Sequence, residues 1–221
     1  MDSLRKIFSA VLLLTFLILP QIVSAEKTDW RDDNYNFKRV RTVVLMNIRD
    51  DADLSHISNA VQMKIEGDYN KSANKLKCQV LTEDQARRML GMGNASPDRL
   101  RASLSDIADM WIDCDIKVWK DSYYIVPART VWENRKRTRK IRNRWGYWEE
   151  ESYYESVPVT YPPYRVDTSD IIAVFEAHDA RTGRTVFTRE DDRSRNDANA
   201  QKDMFGRMCN SFFEDLGKRV K

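Results

Sequence analysis

Three cysteines, two histidines and seven glycines in 221 residues leave several chemistries without material. So few cysteines do not staple a disulfide miniprotein. His56 and His178 stand alone, with no second His or Cys at ligand spacing, so no metal site and no cofactor are expected. The glycines form neither a collagen-like repeat nor a phosphate-cradling loop, and neither a nucleophile elbow nor a two-His zinc helix is present. Charge of one sign is scarce too. With 37 Lys and Arg against 34 Asp and Glu, no whole-molecule field draws the chain to nucleic acid or membrane. A long apolar run occurs once, from Ile7 to Leu19, and falls short of the ~20 residues that a spanning helix needs. At 42% hydrophobic and 32% charged, the remainder suits one ordinary globular domain.

Arg5 and Lys6 stand before that run, Pro20 follows it, and Val23-Ser24-Ala25 places small residues at a cleavage point. The three parts read as a secretory signal over residues 1–25, an uncleaved anchor being the alternative that its length disfavours. Export to the periplasm or the medium follows. Removing Asp2, Arg5 and Lys6 with the signal leaves 35 basic and 33 acidic residues, and no second span. The three cysteines are an odd count, each at an apolar position. Cys78 alternates with Leu76 and Val80, Cys114 with Ile112 and Ile116, and Cys209 lies on a stripe with Met204, Phe205, Met208, Phe212, Phe213 and Leu216. Buried free thiols are expected rather than one disulfide and a spare.

Glu26 to Lys38 reads as a polar lead-in arm. Arg41 to Ile48 suits a buried strand, and Leu76 to Leu81 a second. Between them Asp53 is placed to cap a helix carrying Leu54, Ile57, Val61, Ile65 and Tyr69 at spacings of three and four. Thr82 and Gln85 fit a capping box on a short helix closed by Gly91, and Ser96-Pro97 opens another. From Met110 the period becomes two. Ile112, Cys114, Ile116 and Val118 face a core, while Trp111, Asp113, Asp115, Lys117 and Trp119 are expected in solvent. Ile171 to Ala177 and Thr185 to Thr188 pair across a turn at Gly183, and Asn196 or Asp197 caps a final helix. The sum is an α+β domain over residues 26–221, a mostly antiparallel sheet of about five strands with three or four helices packed on it and a long β-hairpin arm inserted at 120–165.

That arm departs from ordinary composition. Eleven of the 15 Trp and Tyr residues lie between Trp119 and Tyr164. Arg129, Arg135, Lys136, Arg137, Arg139, Lys140, Arg142 and Arg144 precede Glu149, Glu150, Glu151 and Glu155, with a turn expected at Asn143 to Gly146. Pairing about that turn sets Lys140 opposite Glu149 and Arg139 opposite Glu150, each pair adding ~0.2–1 kcal/mol. Eight bases against five acids still leave a surplus of three. Arg with Trp or Tyr suits anionic and ring-bearing ligands, so Trp132, Trp145, Tyr147 and Trp148 join the cations from Arg135 to Arg144 as a candidate binding surface. Export favours an envelope protein or an anionic envelope polymer as partner over single-stranded nucleic acid. A second reading is a homo-oligomeric subunit that pairs edge strands with its own copies. A third is a metal-dependent hydrolase using Asp113 and Asp115 beside Lys117, against which their alternation on a solvated strand face weighs.

Tyr35-Asn36-Phe37 leading through Arg41-Thr42 into a strand resembles the opening of a bacterial cell-envelope lipoprotein family of unknown function. Asp179-Ala180-Arg181-Thr182-Gly183-Arg184-Thr185-Val186-Phe187 is similar to the hairpin those proteins carry before their last helix, with Phe187 in place of a Trp. The wider set includes the periplasmic domain of the curli secretion channel and the N-terminal domain of the Tol translocation protein. The resemblance implies a non-enzymatic role in the envelope, although the lipid-bearing Cys of those proteins has no counterpart here.

Overall fold

A computed structural model describes residues 25–220; the expected signal, residues 1–25, lies outside them but for Ala25. Nine strands follow one another as β1 (Ala25–Arg31), β2 (Thr42–Leu45), β3 (Arg49–Asp50), β4 (Gln79–Thr82), β5 (Met110–Val126), β6 (Arg129–Arg142), β7 (Trp148–Tyr161), β8 (Tyr164–Asp179) and β9 (Thr185–Arg195). Four α-helices accompany them, α1 (Asn59–Ser72), α2 (Glu83–Met89), α3 (Pro97–Ser103) and α4 (Gln201–Gly217). The chain divides into two compact units, Tyr123–Asp167 and the residues on either side of it.

Seven strands make one sheet in the order β1-β9-β8-β5-β2-β4, with β3 beside β5. It is mixed, and larger than the five strands expected. β9 pairs antiparallel with β1 and β8, whereas β2 pairs parallel with β4 and β5, and β3 with β5. The parallel half follows from connectivity. α1 carries the chain from β2 to β4, and α2 and α3 carry it from β4 to β5, crossovers that return each strand in the same direction. Such strands are covered on both faces, which is why β2 is an unbroken apolar run. Val43 and Leu45 join a core with Ile65 and Tyr69 of α1 and Phe205, Phe212 and Phe213 of α4. Val44 and Met46 join a second, with Ala86 of α2, Leu100 of α3 and Trp111.

Several local expectations hold. Thr82 and Gln85 form the capping box, the Ser96 hydroxyl accepts from the Arg99 N–H, and Gly91 and Gly183 take φ of 66° and 71°. Cys114 and Cys209 are buried, Cys78 is half-buried, and all three are free thiols. Burial pushes each thiol up, Cys78 to about 11.

Others are corrected. The lead-in is the edge strand β1, whose polar sequence reflects exposure rather than irregularity. Its anchor is Arg189, fully buried on β9, which donates from Nε to Asp29 Oδ1 at 2.6 Å and from Nη2 to Asp29 Oδ2 at 2.7 Å and Asp215 Oδ2 at 2.8 Å. Asp53 does not cap α1. It lies at φ 54° and caps a 3-10 turn, Leu54–His56, so the helix starts five residues later than Leu54, at Asn59. Neither Asn196 nor Asp197 caps α4. That helix starts after Ala200, whose N–H donates to Ser169 Oγ at 3.2 Å while the Asn199 N–H donates to Asp121 Oδ1 at 3.1 Å, so distant strands supply the acceptors.

The largest correction concerns Asp113 and Asp115, which are buried rather than solvated. Arg101 Nη2 donates to Asp113 Oδ1 at 2.9 Å and Trp111 Nε1 to Asp113 Oδ2 at 3.1 Å. Arg49 binds both oxygens of Asp115, and Lys117 Nζ lies 3.4 Å from it. Helices on the second face cover this strand, and the carboxylates are tolerated because cations and an indole N–H take their lone pairs.

Candidate functional site on the β6–β7 hairpin

Within the unit Tyr123–Asp167, β6 and β7 form a two-stranded antiparallel sheet. Pro127 follows the end of β5, and Pro162-Pro163 separate β7 from β8; residues without an N–H interrupt pairing there. The register runs from Arg129↔Tyr161 to Arg142↔Trp148. Lys140 therefore faces Glu150 and Arg139 faces Glu151, one residue away from the expected pairing. The turn explains the slip, since five residues, Asn143 to Tyr147, join the strands rather than four. Asn143 Oδ1 accepts from the N–H groups of Trp145 and Tyr147, both at 3.0 Å, its amide donates to Glu149 Oε1 at 2.6 Å, and Gly146 takes φ 85°. An Asn side chain that mimics the backbone and a glycine at positive φ are what such a turn requires.

Because opposed residues share a face, the register sorts the charge. The odd-numbered face carries Arg129, Arg135, Arg137 and Arg139 against Glu133, Glu149, Glu151 and Glu155, four of each sign. It is closed upon itself. Arg139 Nε donates to Glu151 at 2.6 Å, Arg137 Nε to Glu155 at 3.1 Å and Arg135 Nη2 to Glu133 at 3.4 Å. The Tyr161 hydroxyl also donates to Glu133, which lowers the Glu133 pKa and raises that of Tyr161. Arg139 lies over the Tyr153 ring at 5.3 Å and Arg129 over the Tyr161 ring at 5.7 Å. The three valines and the isoleucine of the two strands, Val131, Val157, Val159 and Ile141, are on this face.

The even-numbered face is different. It bears Lys136, Lys140 and Arg142 against Glu150 alone, and none of these three cations enters an ion pair of 4 Å or less among the described residues. Arg142 lies over the Trp148 ring at 5.1 Å. Tyr154, Trp132 and Trp148 are 73%, 69% and 64% exposed, whereas Tyr153 and Tyr161 of the other face are each 39% exposed. At the turn, Arg144 covers the Trp145 ring at 3.9 Å and Tyr147 is exposed.

All eleven candidate residues are exposed, but they do not form one surface. Lys136, Lys140, Arg142, Trp132 and Trp148 share the even face, Arg144, Trp145 and Tyr147 belong to the turn, and Arg135, Arg137 and Arg139 lie on the neutralised face. Tyr154, opposite Lys136, belongs with the first group and is missing from the sequence-based set. Its parity with Trp132 and Trp148 was a usable signal once the register was known.

Among the described residues no group of three or more His, Cys, Asp and Glu is arranged to hold a metal, and no helix is long and apolar enough to cross a membrane. No family model matches the chain, and no curated protein matches it. Solved structures do show similarity. A PelC dodecamer from Paraburkholderia phytofirmans is 9% identical over 88% of this chain and 98% of that one, with a TM-score of 0.46. Lipoprotein GNA1162 from Neisseria meningitidis is 9% identical over 80% of this chain and 99% of that one, at 0.45. A PDZ domain protein from Parabacteroides distasonis is 8% identical over 86% of this chain and 36% of that one, at 0.35. None of these three is the family of unknown function, the curli channel or the Tol protein to which the sequence motifs are similar. Likenesses of this degree transfer no function to the chain.

Proposed function

We propose that this protein is an exported, non-catalytic binding protein of the cell envelope, which holds an anionic partner on the even-numbered face of its β6–β7 hairpin. The observation that carries the reading is the sorting of charge. Of the surplus of three between Arg129 and Glu155, the odd face accounts for none, the even face for two and Arg144 for the third. Cations held only for hairpin stability are ion-paired with carboxylates of the partner strand, as Arg137 is with Glu155 and Arg139 with Glu151. Lys136, Lys140 and Arg142 enter no ion pair among the described residues, although Glu150 faces Lys140, and three of the most exposed rings stand beside them. Cations and ring faces together favour anions through charge, hydrogen bonding and stacking.

Salt-gradient elution of the exported chain from an immobilised polyanion, heparin, tests this. Lys136→Glu, Lys140→Glu and Arg142→Glu together should bring elution to markedly lower salt, because each contact with the polyanion releases counterions, and losing three weakens binding and flattens its salt dependence. Lys71→Glu, Lys77→Glu and Arg99→Glu make the same formal charge change at exposed sites of the other unit and should shift elution much less. Equal shifts for the two triples would mean that net charge, and not this face, governs binding.

A further inference from the structure

We infer that the anionic partner is an acidic polysaccharide lying along the even-numbered face, an inference that rests on the binding role proposed above. On one face of a two-stranded ribbon, opposed pairs follow one another every ~6.8 Å, two residues of rise. From the open end the pairs read Thr130/Thr160, Trp132/Pro158, Asn134/Ser156, Lys136/Tyr154, Thr138/Ser152, Lys140/Glu150 and Arg142/Trp148. From Thr130/Thr160 to Lys140/Glu150, pairs made only of hydroxyls and amides therefore alternate with pairs that bear a ring, a cation or both, and Arg142/Trp148 adds one more of the second kind beside the turn. The Thr130 and Thr160 hydroxyls are 3.0 Å apart, and Ser156 donates to the Asn134 amide oxygen, so two of the three polar pairs are ordered in place.

A linear polymer of acidic sugars presents what each kind of pair takes. The C–H face of a pyranose stacks on Trp or Tyr, its carboxylate pairs with Lys or Arg, and its hydroxyls bond to Thr, Ser and Asn. An acidic peptide supplies carboxylates but has no use for the exposed rings and the hydroxyl pairs. A lipid surface calls for an apolar face beside the cations, and Pro158 is the one aliphatic residue on this side, the valines and Ile141 being on the other.

Equilibrium binding of the exported chain to four probes decides the matter: polygalacturonate, neutral dextran, poly-glutamate and phosphatidylglycerol vesicles. Polygalacturonate should bind tightest. Trp132→Ala, Trp148→Ala and Tyr154→Ala together keep every charge and should weaken it by at least about tenfold, a loss of ~1.4 kcal/mol, while leaving poly-glutamate affinity within about twofold. The rings are exposed, so this variant should keep the parent's thermal midpoint. Poly-glutamate or vesicles binding as tightly as polygalacturonate, with no effect of the ring variant, would overturn the polysaccharide assignment and leave anion binding standing. Failure of every anionic probe to bind would remove both.

Discussion

Replacing Arg189 by Met probes how β1 is held to the rest of its unit. The guanidinium is fully buried and lies 5.6 Å from the Phe187 ring and 6.0 Å from that of Phe212, a site a thioether chain fills well. What the variant loses is charge. Asp29 and Asp215 keep their carboxylates with no guanidinium between them, and removing one partner of a buried ion pair costs about 3–5 kcal/mol. Their side chains are 37% and 30% exposed, so water recovers part of that, and the lower end, ~3 kcal/mol, is expected. In a chain of this size such a loss lowers the thermal midpoint by about 6–12 °C. Burial raises both carboxyls, but the hydrogen bonds and charge of Arg189, with Lys27 and, at Asp215, Lys218, hold them below the ordinary carboxylate value. Carboxylates depressed in the fold add stability above their unfolded pKa of about 3.9 and lose it as pH falls through their folded values. The gap between parent and variant should therefore narrow below about pH 4. Urea and thermal unfolding followed by circular dichroism measure all of this, and a triple variant adding Asp29→Asn and Asp215→Asn should regain most of the loss. If Arg189→Met lies within about 1 kcal/mol of the parent, or the triple is no more stable than the single, the ion pairs do not hold β1 in place.

The glycines give a contrast in sign. Gly217→Ala in α4 would set a Cβ 2.6 Å from the Lys75 carbonyl oxygen and should cost about 1–3 kcal/mol, whereas Gly67→Ala in α1 meets nothing within 4 Å and should gain about 0.8–1 kcal/mol by helix propensity; denaturant midpoints compare them directly. His178 stacks on Trp111 with centroids 5.0 Å apart, and its pKa is lowered by burial and by Arg101 and Arg49 against the pull of Asp113 and Glu176. A histidine depressed in the fold contributes stability above its unfolded pKa of about 6.5 that fades as pH falls toward the folded value, so His178→Gln should flatten the pH dependence of stability just below pH 6.5, and an unchanged slope there would contradict that origin.

Elements whose signals are local were legible in the sequence. The capping box at Thr82, Ser96-Pro97, Gly91 and Gly183 depends on residues within a few positions, and each stands as read. Features decided by distant partners were not. Asp113 and Asp115 alternate like a solvated face, and nothing nearby in sequence announces that Arg49 and Arg101 fold onto them. The start of α4 is satisfied by Ser169 and Asp121, far away along the chain, so the nearby Asn196 and Asp197 misled. At the hairpin, composition singled out the stretch, but the division of its residues between two faces hung on whether four or five residues make the turn. A slip of one gives Arg139 and Lys140 different acids opposite and sets Tyr154 across from Lys136, in the middle of the candidate surface.

The proposed binding face is tested most directly by following the indole N–H signals of the tryptophans by NMR while polygalacturonate is added to the protein. Trp132 and Trp148 should shift together and saturate at one ligand concentration, with Trp30 and Trp111 unmoved. Shifts confined to Trp30 or Trp111, or shifts of Trp132 and Trp148 that persist unchanged after Lys136, Lys140 and Arg142 are reversed to Glu, would contradict the account.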